Sequence, residues 1–504
     1  MLCLLVLSLA AADRPNVLLA ISDDQSAPHA SAYGVVPAAA LSTPGFDRVA
    51  STGRLFTRCY SSSPGCSPSR AALLTGRHCW SLREAGTHAS SFPADLATYP
   101  AAFRSDGYAV GYTGKGWGPG NYKVSGRTLN PAGKAWNKRR RAERANESIS
   151  PVDYAGNFVD FLDSRDEEQP FCFWYGGHEP HRTFESGSGV AAGKKLEDAV
   201  VPAFLPDTPV VRSDLLDYYL EIEHFDSHLV QMLDELERRG ELENTLVIVT
   251  SDNGMSFPRA KANCYHMGIN VPLAIAWPAR WPPGEASDVA ISQIGLTAML
   301  TEAAGVELPG QHSLSPIDPA DGSVLPGSDD RRPVCASRER HSSSRHDNLG
   351  YPQRAIVDGN RLLVENVRPD RWPAGDPTKF EGDTLGPPHG GYHDIDACPT
   401  LTEMIERRNE FPTLLLASVG KRPRFECFDT AADPACLTPL DPESDRVSGL
   451  REFLRVVQRS TGDLRVTGLP LTSETSLSPD EWIESYPRYS HIRRFPPPPD
   501  ELPE

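Results

Sequence analysis

The stretch Asn16-Val17-Leu18-Leu19-Ala20-Ile21-Ser22-Asp23-Asp24 decides the fold. Its apolar residues run on without the alternation of a half-exposed strand, so it reads as a strand buried on both faces. It stops on two carboxylates. Three further runs repeat that design. Ala109-Val110-Gly111-Tyr112-Thr113-Gly114 runs into Lys115, and Pro170-Phe171-Cys172-Phe173-Trp174-Tyr175 into Gly176-Gly177-His178. Thr245-Leu246-Val247-Ile248-Val249-Thr250 runs into Ser251-Asp252-Asn253-Gly254. Helical patterns lie between them, at Phe46 to Gly53, from Ser69 to Leu74 and from Ser213 to Arg239. Strands alternating with helices predict an α/β fold, a large mixed, mostly parallel sheet sandwiched by helices. Sites in such sheets form beyond the carboxyl ends of strands, which is where all four polar endings fall.

Beyond about Pro309 the texture changes. Residues 310–332 are rich in Pro, Gly, Ser and Asp and read as a linker or irregular loop. Gln353 to Glu365 reads as two strands around an Asp-Gly-Asn turn, and Arg451 to Arg459 as a short helix. A catalytic domain over 13–330 is therefore expected, with a smaller α+β domain carrying an antiparallel sheet over 331–490. The Pro-rich tail, 491–504, is expected to be disordered. Met1 to Ala12 is an apolar run ending in small residues, the pattern of a secretory leader cut after Ala12. Export to a lysosome, periplasm or extracellular space is the corresponding expectation. No other stretch is apolar for long enough to span a bilayer. A net charge of −17 argues against nucleic acid as a partner, and an anionic substrate would need a local basic pocket.

Chemistry is carried by Cys66-Ser67-Pro68-Ser69-Arg70, which runs into Ala71-Ala72-Leu73-Leu74-Thr75-Gly76. C-x-P-S-R followed by A-x-L-L-T-G resembles the signature of the sulfatase family, the formylglycine-dependent branch of the alkaline-phosphatase-like superfamily. The resemblance implies that a dedicated maturation enzyme oxidises Cys66 to formylglycine (3-oxoalanine). The hydrated aldehyde would then be the nucleophile. A geminal diol can accept sulfate on one oxygen and release it by collapsing to aldehyde, which splits one hard step into two easier ones.

The same resemblance implies roles for the strand-end residues. Asp23, Asp24, Asp252 and Asn253 match the metal-ligand segments, with Cys66 as a further ligand once modified. The metal implied is Ca²⁺, with Mg²⁺ as the other hard cation that suits oxygen donors. Arg70 would fix the hydrated aldehyde. Lys115, His181 and Lys261 would surround the sulfate with positive charge, which stabilises a transferring sulfuryl group. His178 and Arg182, beside His181, would touch substrate. Where many members read G-K-x-H, this chain reads Gly114-Lys115-Gly116-Trp117. Trp117 cannot act as a base, so His78, His88 or His178, water or a carboxylate is left for that role. Trp117 itself would form a wall for a sugar ring or pack in the core, as tryptophan commonly does.

A more local likeness, over Val201 to Pro258, His178-Glu179-Pro180-His181-Arg182 and Arg422 to Asp429, points to the sulfamidase branch of the family. The implied activity is removal of sulfate from a sulfated glycan, with the N-sulfate of glucosamine as the preferred substrate. An O-sulfatase on another polysaccharide, a phosphate or phosphonate ester hydrolase, and a catalytically silent glycan-binding protein are the alternatives. A homodimer is compatible with this reading. Ten cysteines are present. Without Cys3 in the leader and Cys66 at the site, an even set of eight permits disulfides in an exported protein, Cys427 with Cys436 most simply. Asn146-Glu147-Ser148 is a glycosylation sequon.

Overall fold

β1 (Asn16–Ser22) lies inside an eight-stranded sheet, and its side chains show why the run is apolar throughout. Val17, Leu19 and Ile21 enter one core, while Leu18 and Ala20 enter another on the opposite face. The remaining strands are β2 (Arg54–Tyr60), β3 (Ala109–Gly114), β4 (Lys134–Ala135), β5 (Phe171–Gly176), β6 (Thr245–Ser251), β7 (Asn270–Ala276) and β8 (Ile291–Ser292). Their order is β4-β3-β5-β1-β6-β7-β2-β8. β1 runs parallel to β5 and β6, and β3 parallel to β4 and β5. β7 runs antiparallel to β6 and β2, which makes the sheet mixed. This computed structural model describes residues 14–144, 146–325, 333–441, 444–469 and 475–503. The expected leader and the end of the expected linker fall outside them.

Helices cover both faces. On one, the long helix Pro209–Arg238 packs Leu229, Met232, Leu233 and Leu236 against Phe173, Tyr175, Val247 and Val249. On the other, the helix Cys66–Thr75 packs Ala71, Leu73 and Leu74 against Leu19, Ile21 and Ile248.

The smaller sheet comprises β9 (Val334–Arg338), β10 (Gln353–Asp358), β11 (Arg361–Asn366) and β14 (Phe425–Asp429), in the order β14-β11-β10-β9, all antiparallel. A two-stranded ribbon, β12 (Phe380–Glu381) and β13 (Thr384–Leu385), stands apart. The hairpin expected around Asp358-Gly359-Asn360 forms, with Asp358 opposite Arg361. One face of this sheet meets the larger unit through Tyr60, Tyr265 and Ile269. The other is covered by the helix Asp445–Ser460 through Val447, Leu450, Leu454 and Val457.

That layering corrects the expected disulfide. Cys427, on β14, belongs to the core under helix Asp445–Ser460, whereas Cys436 belongs to the core on the opposite face. All nine described cysteines are free. The tail, expected to be disordered, has no helix or strand over 491–503, yet it is bound to the body. Phe495 is buried, Phe380 N donates to Arg494 O at 2.9 Å, and Trp372 Nε1 donates to Pro499 O at 3.0 Å. In the sequon, Asn146 Oδ1 accepts from Ser148 N, Ser148 Oγ and Ile149 N.

Candidate active site

Cys66 is the first residue of its helix, and Ser69 and Arg70 stand three and four residues on, on the same side. Ser69 Oγ donates to Asp252 O at 2.5 Å. Arg70, fully buried, donates through Nε to Asp252 Oδ2 at 2.7 Å and through Nη1 to Lys115 O at 2.7 Å. One helical turn thus ties Cys66 to the ends of β6 and β3. Lys115 is placed by close backbone approach. Gly114 has φ 72°, and a Cβ there would lie 1.9 Å from Gly176 O. A Cβ on Gly176 would lie 1.9 Å from Lys115 O. Only glycine tolerates that contact and the left-handed backbone at Gly114.

The acidic residues converge as expected. Lys115 Nζ donates to Asp23 Oδ2 at 2.5 Å, and Lys261 Nζ to Asp24 Oδ2 at 2.6 Å. Asn253 Nδ2 donates to Asp24 Oδ1 at 2.7 Å, and Asp24 N to Asp252 Oδ1 at 3.1 Å. Asp24 adopts φ 76°, an unusual conformation for a non-glycine residue, and it is over-determined by these bonds. Burial pushes the Asp23 carboxyl up, but the charges of Lys115, His181, Arg70 and Lys261 outweigh it and hold Asp23 below the usual carboxylate range. Burial and the neighbouring Asp23 charge push Asp252 the other way.

Asp23 Oδ1 and Asn253 Oδ1 are buried and accept no hydrogen bond. Ligand atoms of Asp23, Asp24 and His181 lie within 4.8 Å of one another. Orphaned oxygens in a dry site are costly unless a cation takes them. The donor set is mainly hard oxygen, which fits Ca²⁺ or Mg²⁺. The residues present therefore fit the divalent ion that the fold family uses. His181 adds a nitrogen to the group, which the motifs did not indicate.

His181 Nδ1 lies 2.5 Å from Arg182 O, so Nδ1 carries the proton and Nε2 is free to accept from Lys261 Nζ at 3.1 Å. Lys261 makes a third bond, to Asp396 Oδ2 at 2.8 Å, so Asp24, His181 and Asp396 engage all three ammonium donors. No sequence motif marked Asp396. It comes from the loop after the small ribbon, where its neighbour Asp394 is buried against Arg338 and Arg345. The only available signal was the Asp394-Ile395-Asp396 doublet.

Three expectations change. Trp117 is 3% exposed, donates from Nε1 to Ser67 O at 3.0 Å and packs edge-on against Phe92, so it is core and not a sugar wall. Arg182 is bound to Asp214 through two bonds of 2.7 and 2.8 Å and to Ser256 O through Nε, so its guanidinium is structural. Of the three histidines offered in place of the missing G-K-x-H histidine, His88 contacts the nucleophile, with Nε2 3.5 Å from Cys66 Sγ. His78 is buried and stacked on Trp80, and His178 is exposed on the cavity wall. The His88 ring also packs on His341 of the smaller unit, with centroids 4.7 Å apart.

Burial pushes the Cys66 thiol up to about 11, against the pull of Lys115. A thiol so poorly ionised at neutral pH is a weak nucleophile in its unmodified form. The formylglycine that the resemblance implies at this position would supply an aldehyde hydrate oxygen in its place. The Cys66 environment fits that group, with a helix N-terminus behind it and Lys115 beside it.

Comparison with known proteins agrees with the geometry. Over 94% of its length the chain is 28% identical to human N-sulphoglucosamine sulphohydrolase, of which it covers 96%. It is 25% identical to an ulvan-active sulfatase of Formosa agariphila over 89% of this chain and 74% of that protein. A structure solved in complex with its substrate D-glucosamine-2-N,6-O-disulfate is similar in fold, with a TM-score of 0.61, 16% identity, and coverage of 90% of this chain and 99% of that one. The family model described as Sulfatase matches residues 15–306, which span β1 with its two aspartates, the Cys66 helix, Lys115, His181 and the Ser251–Gly254 turn. The chain thus belongs to the sulfatase family, and it is a sulfatase.

Proposed function

We propose that this sulfatase removes sulfate from sulfated glycans and that its preferred bond is the N-sulfate of a glucosamine residue. The observation that carries the reading is buried Arg70 and Lys261 and half-buried Lys115, gathered with Asp23, Asp24, Asp252 and Asn253 around Cys66. Such a set suits a doubly ligated anion held beside a divalent ion, with cations placed where charge develops. Formylglycine formed at Cys66 by a maturation enzyme would supply the nucleophilic oxygen, and Ca²⁺ held by Asp23, Asp24, Asp252 and Asn253, with the modified Cys66, would supply a Lewis acid. Arg70 holds the strand ends in register. Lys115, whose side chain is 14% exposed, presents its remaining donors to the cavity. His181 Nε2, when released from its hydrogen bond with Lys261, can take or return a proton at the departing nitrogen.

The N-sulfate preference rests on near full-length likeness to a sulphoglucosamine sulphohydrolase. A second reading, O-sulfate hydrolysis, is supported by 24% identity over 60% of the chain to an N-acetylglucosamine-6-O-sulfatase of Bacteroides thetaiotaomicron. The enzyme is proposed to be exported. The deciding experiment co-expresses a maturation enzyme and measures sulfate release from N-sulfoglucosamine and from 6-O-sulfated N-acetylglucosamine. Release from the sulfamate alone supports the proposal, and release from the ester alone replaces it with the second reading. Mass spectrometry of the Cys66 peptide is the companion measurement. An unmodified thiol throughout protein from its natural source would overturn the enzymatic mechanism.

A further inference from the structure

A cavity of about 590 Å³ opens beside the Cys66 centre and is lined by Asp23, Lys115 and His181 on one side. That volume lies in the range of small-ligand sites. Its other side is chemically different. Ser148 Oγ and Glu221 Oε1 lie 2.6 Å apart, within hydrogen-bond distance. Glu179 accepts from Ser150 N at 2.8 Å and from Tyr154 Oη at 2.9 Å. Both carboxyls line the cavity although each residue is no more than 2% exposed.

Among the described residues, that side holds no cation without a carboxylate partner. Arg182 is the guanidinium of the lining, and its charge is already paired with the Asp214 carboxylate, with Ser256 O taking its Nε proton. Nearby, Arg144 is bound to Glu147 and Ile149, and Arg141 to Asp153 and Gln231. Among the described residues, the lining's remaining basic groups are Lys115 and the imidazoles of His178 and His181. A second anion placed against Glu221 would lose its water without gaining a partner, and an unpaired buried charge is costly. Hydroxyl groups fare differently, because serine hydroxyls and carboxyls donate to or accept from them. Burial pushes Glu221 up to about 8, against its serine hydrogen bond. Near neutrality it therefore keeps a proton and serves as donor as well as acceptor.

We propose that Glu221, Ser148, Ser150 and Glu179 form a sugar-recognition wall that accepts a singly sulfated sugar by its neutral hydroxyls and rejects one carrying a second sulfate. The inference rests on the reading of this cavity as the sugar site of a sulfatase. It makes the wall a charge filter on top of the sulfate-binding end.

The test is calorimetric binding to the full chain carrying Cys66→Ala, in calcium-containing buffer. The probes are N-sulfoglucosamine and D-glucosamine-2-N,6-O-disulfate. Cys66→Ala prevents turnover, so selectivity is read independently of sulfate release. The monosulfate is expected to bind about tenfold or more tightly than the disulfate, the size expected when one charge is left unpaired. Adding Ser150→Lys supplies a cation and should close most of that gap, while Glu221→Gln should narrow it less. Thermal transitions of both variants verify folding. If Ser150→Lys does not fold, Glu221→Gln, which keeps the shape of the side chain, carries the comparison. Equal or tighter binding of the disulfate, binding of neither sugar, or a gap untouched by the folded variants would overturn the inference. Sulfate release by matured wild-type protein is scored separately. A gap without release sinks the enzymatic reading and leaves the filter, whereas release without a gap does the reverse.

Discussion

The two ends of one cavity contrast sharply. At the sulfate end, Lys115, Arg70 and Lys261 meet Asp23, Asp24 and Asp252 in a dry network held by strand termini. At the other end, carboxyls and serine hydroxyls meet, and the guanidinium of the described lining, Arg182, is paired with Asp214. The first arrangement suits one anion bound for chemistry. The second suits neutral hydroxyls bound for recognition. Strand ends made rigid by close backbone contact carry the first, and loop and helix-side residues carry the second, which matches the division between scaffold and specificity in α/β enzymes.

Breaking the sulfate end should give the largest effects. Cys66→Ala should lower sulfate release by about 10⁴-fold or more, since the nucleophile is lost outright. Initial rates check this, and retention of more than a few per cent of activity would remove Cys66 from the chemistry. Asp214→Ala leaves Arg182 buried and uncompensated, and such losses cost about 3–5 kcal/mol. Denaturant unfolding should show that loss, and an unchanged midpoint would return Arg182 to the substrate. Lys115→Ala should lower kcat by about 10²–10³-fold, the size of losing one preorganised electrostatic partner. Its thermal transition should move far less than that of Asp214→Ala.

The recognition end should answer to pH. Burial raises Glu221 from 4.5 to about 8, so folding favours its protonated form. The stability this contributes is complete below pH 4.5 and drains away as pH rises through about 8. Glu221→Gln should therefore flatten the fall in thermal transition temperature between pH 5 and 8, a difference of the order of a few kcal/mol. Parallel curves for the two proteins would show that Glu221 ionises freely. The smallest effect is expected for Asp396→Asn, which keeps the contact to Lys261 but weakens it. A decrease of about tenfold or less in kcat/KM would fit one weakened charge-assisted bond.

The strands that carry the chemistry were legible because burial on both faces leaves a continuous apolar run that polar residues can only terminate. Asn16–Ser22 and Thr245–Ser251 form within one residue of their apolar runs. The hairpin was legible through its Asp-Gly-Asn turn. β2 and β7 escaped notice, since Arg54–Tyr60 mixes charged and apolar residues and its antiparallel pairing to Asn270–Ala276 spans more than two hundred residues. Trp117 is ambiguous in sequence, because an aromatic residue two positions after a strand-end lysine reads the same whether it faces a sugar or the core.

Sequence alone grouped Cys66, Arg70, Lys115, Asp23, Asp24, Asp252 and Asn253, because its short motifs resemble those of sulfatases and its apolar runs end on these polar residues. Tertiary structure alone decided that His88 is the histidine against the nucleophile, that Asp396 completes Lys261, and that Arg182 serves Asp214. It also decided that Cys427 and Cys436 lie on opposite faces of a sheet. These are contacts between segments distant in the chain. Local propensity and spacing say nothing about them, because they follow from which surfaces are buried against each other when the two sheets and their loops pack.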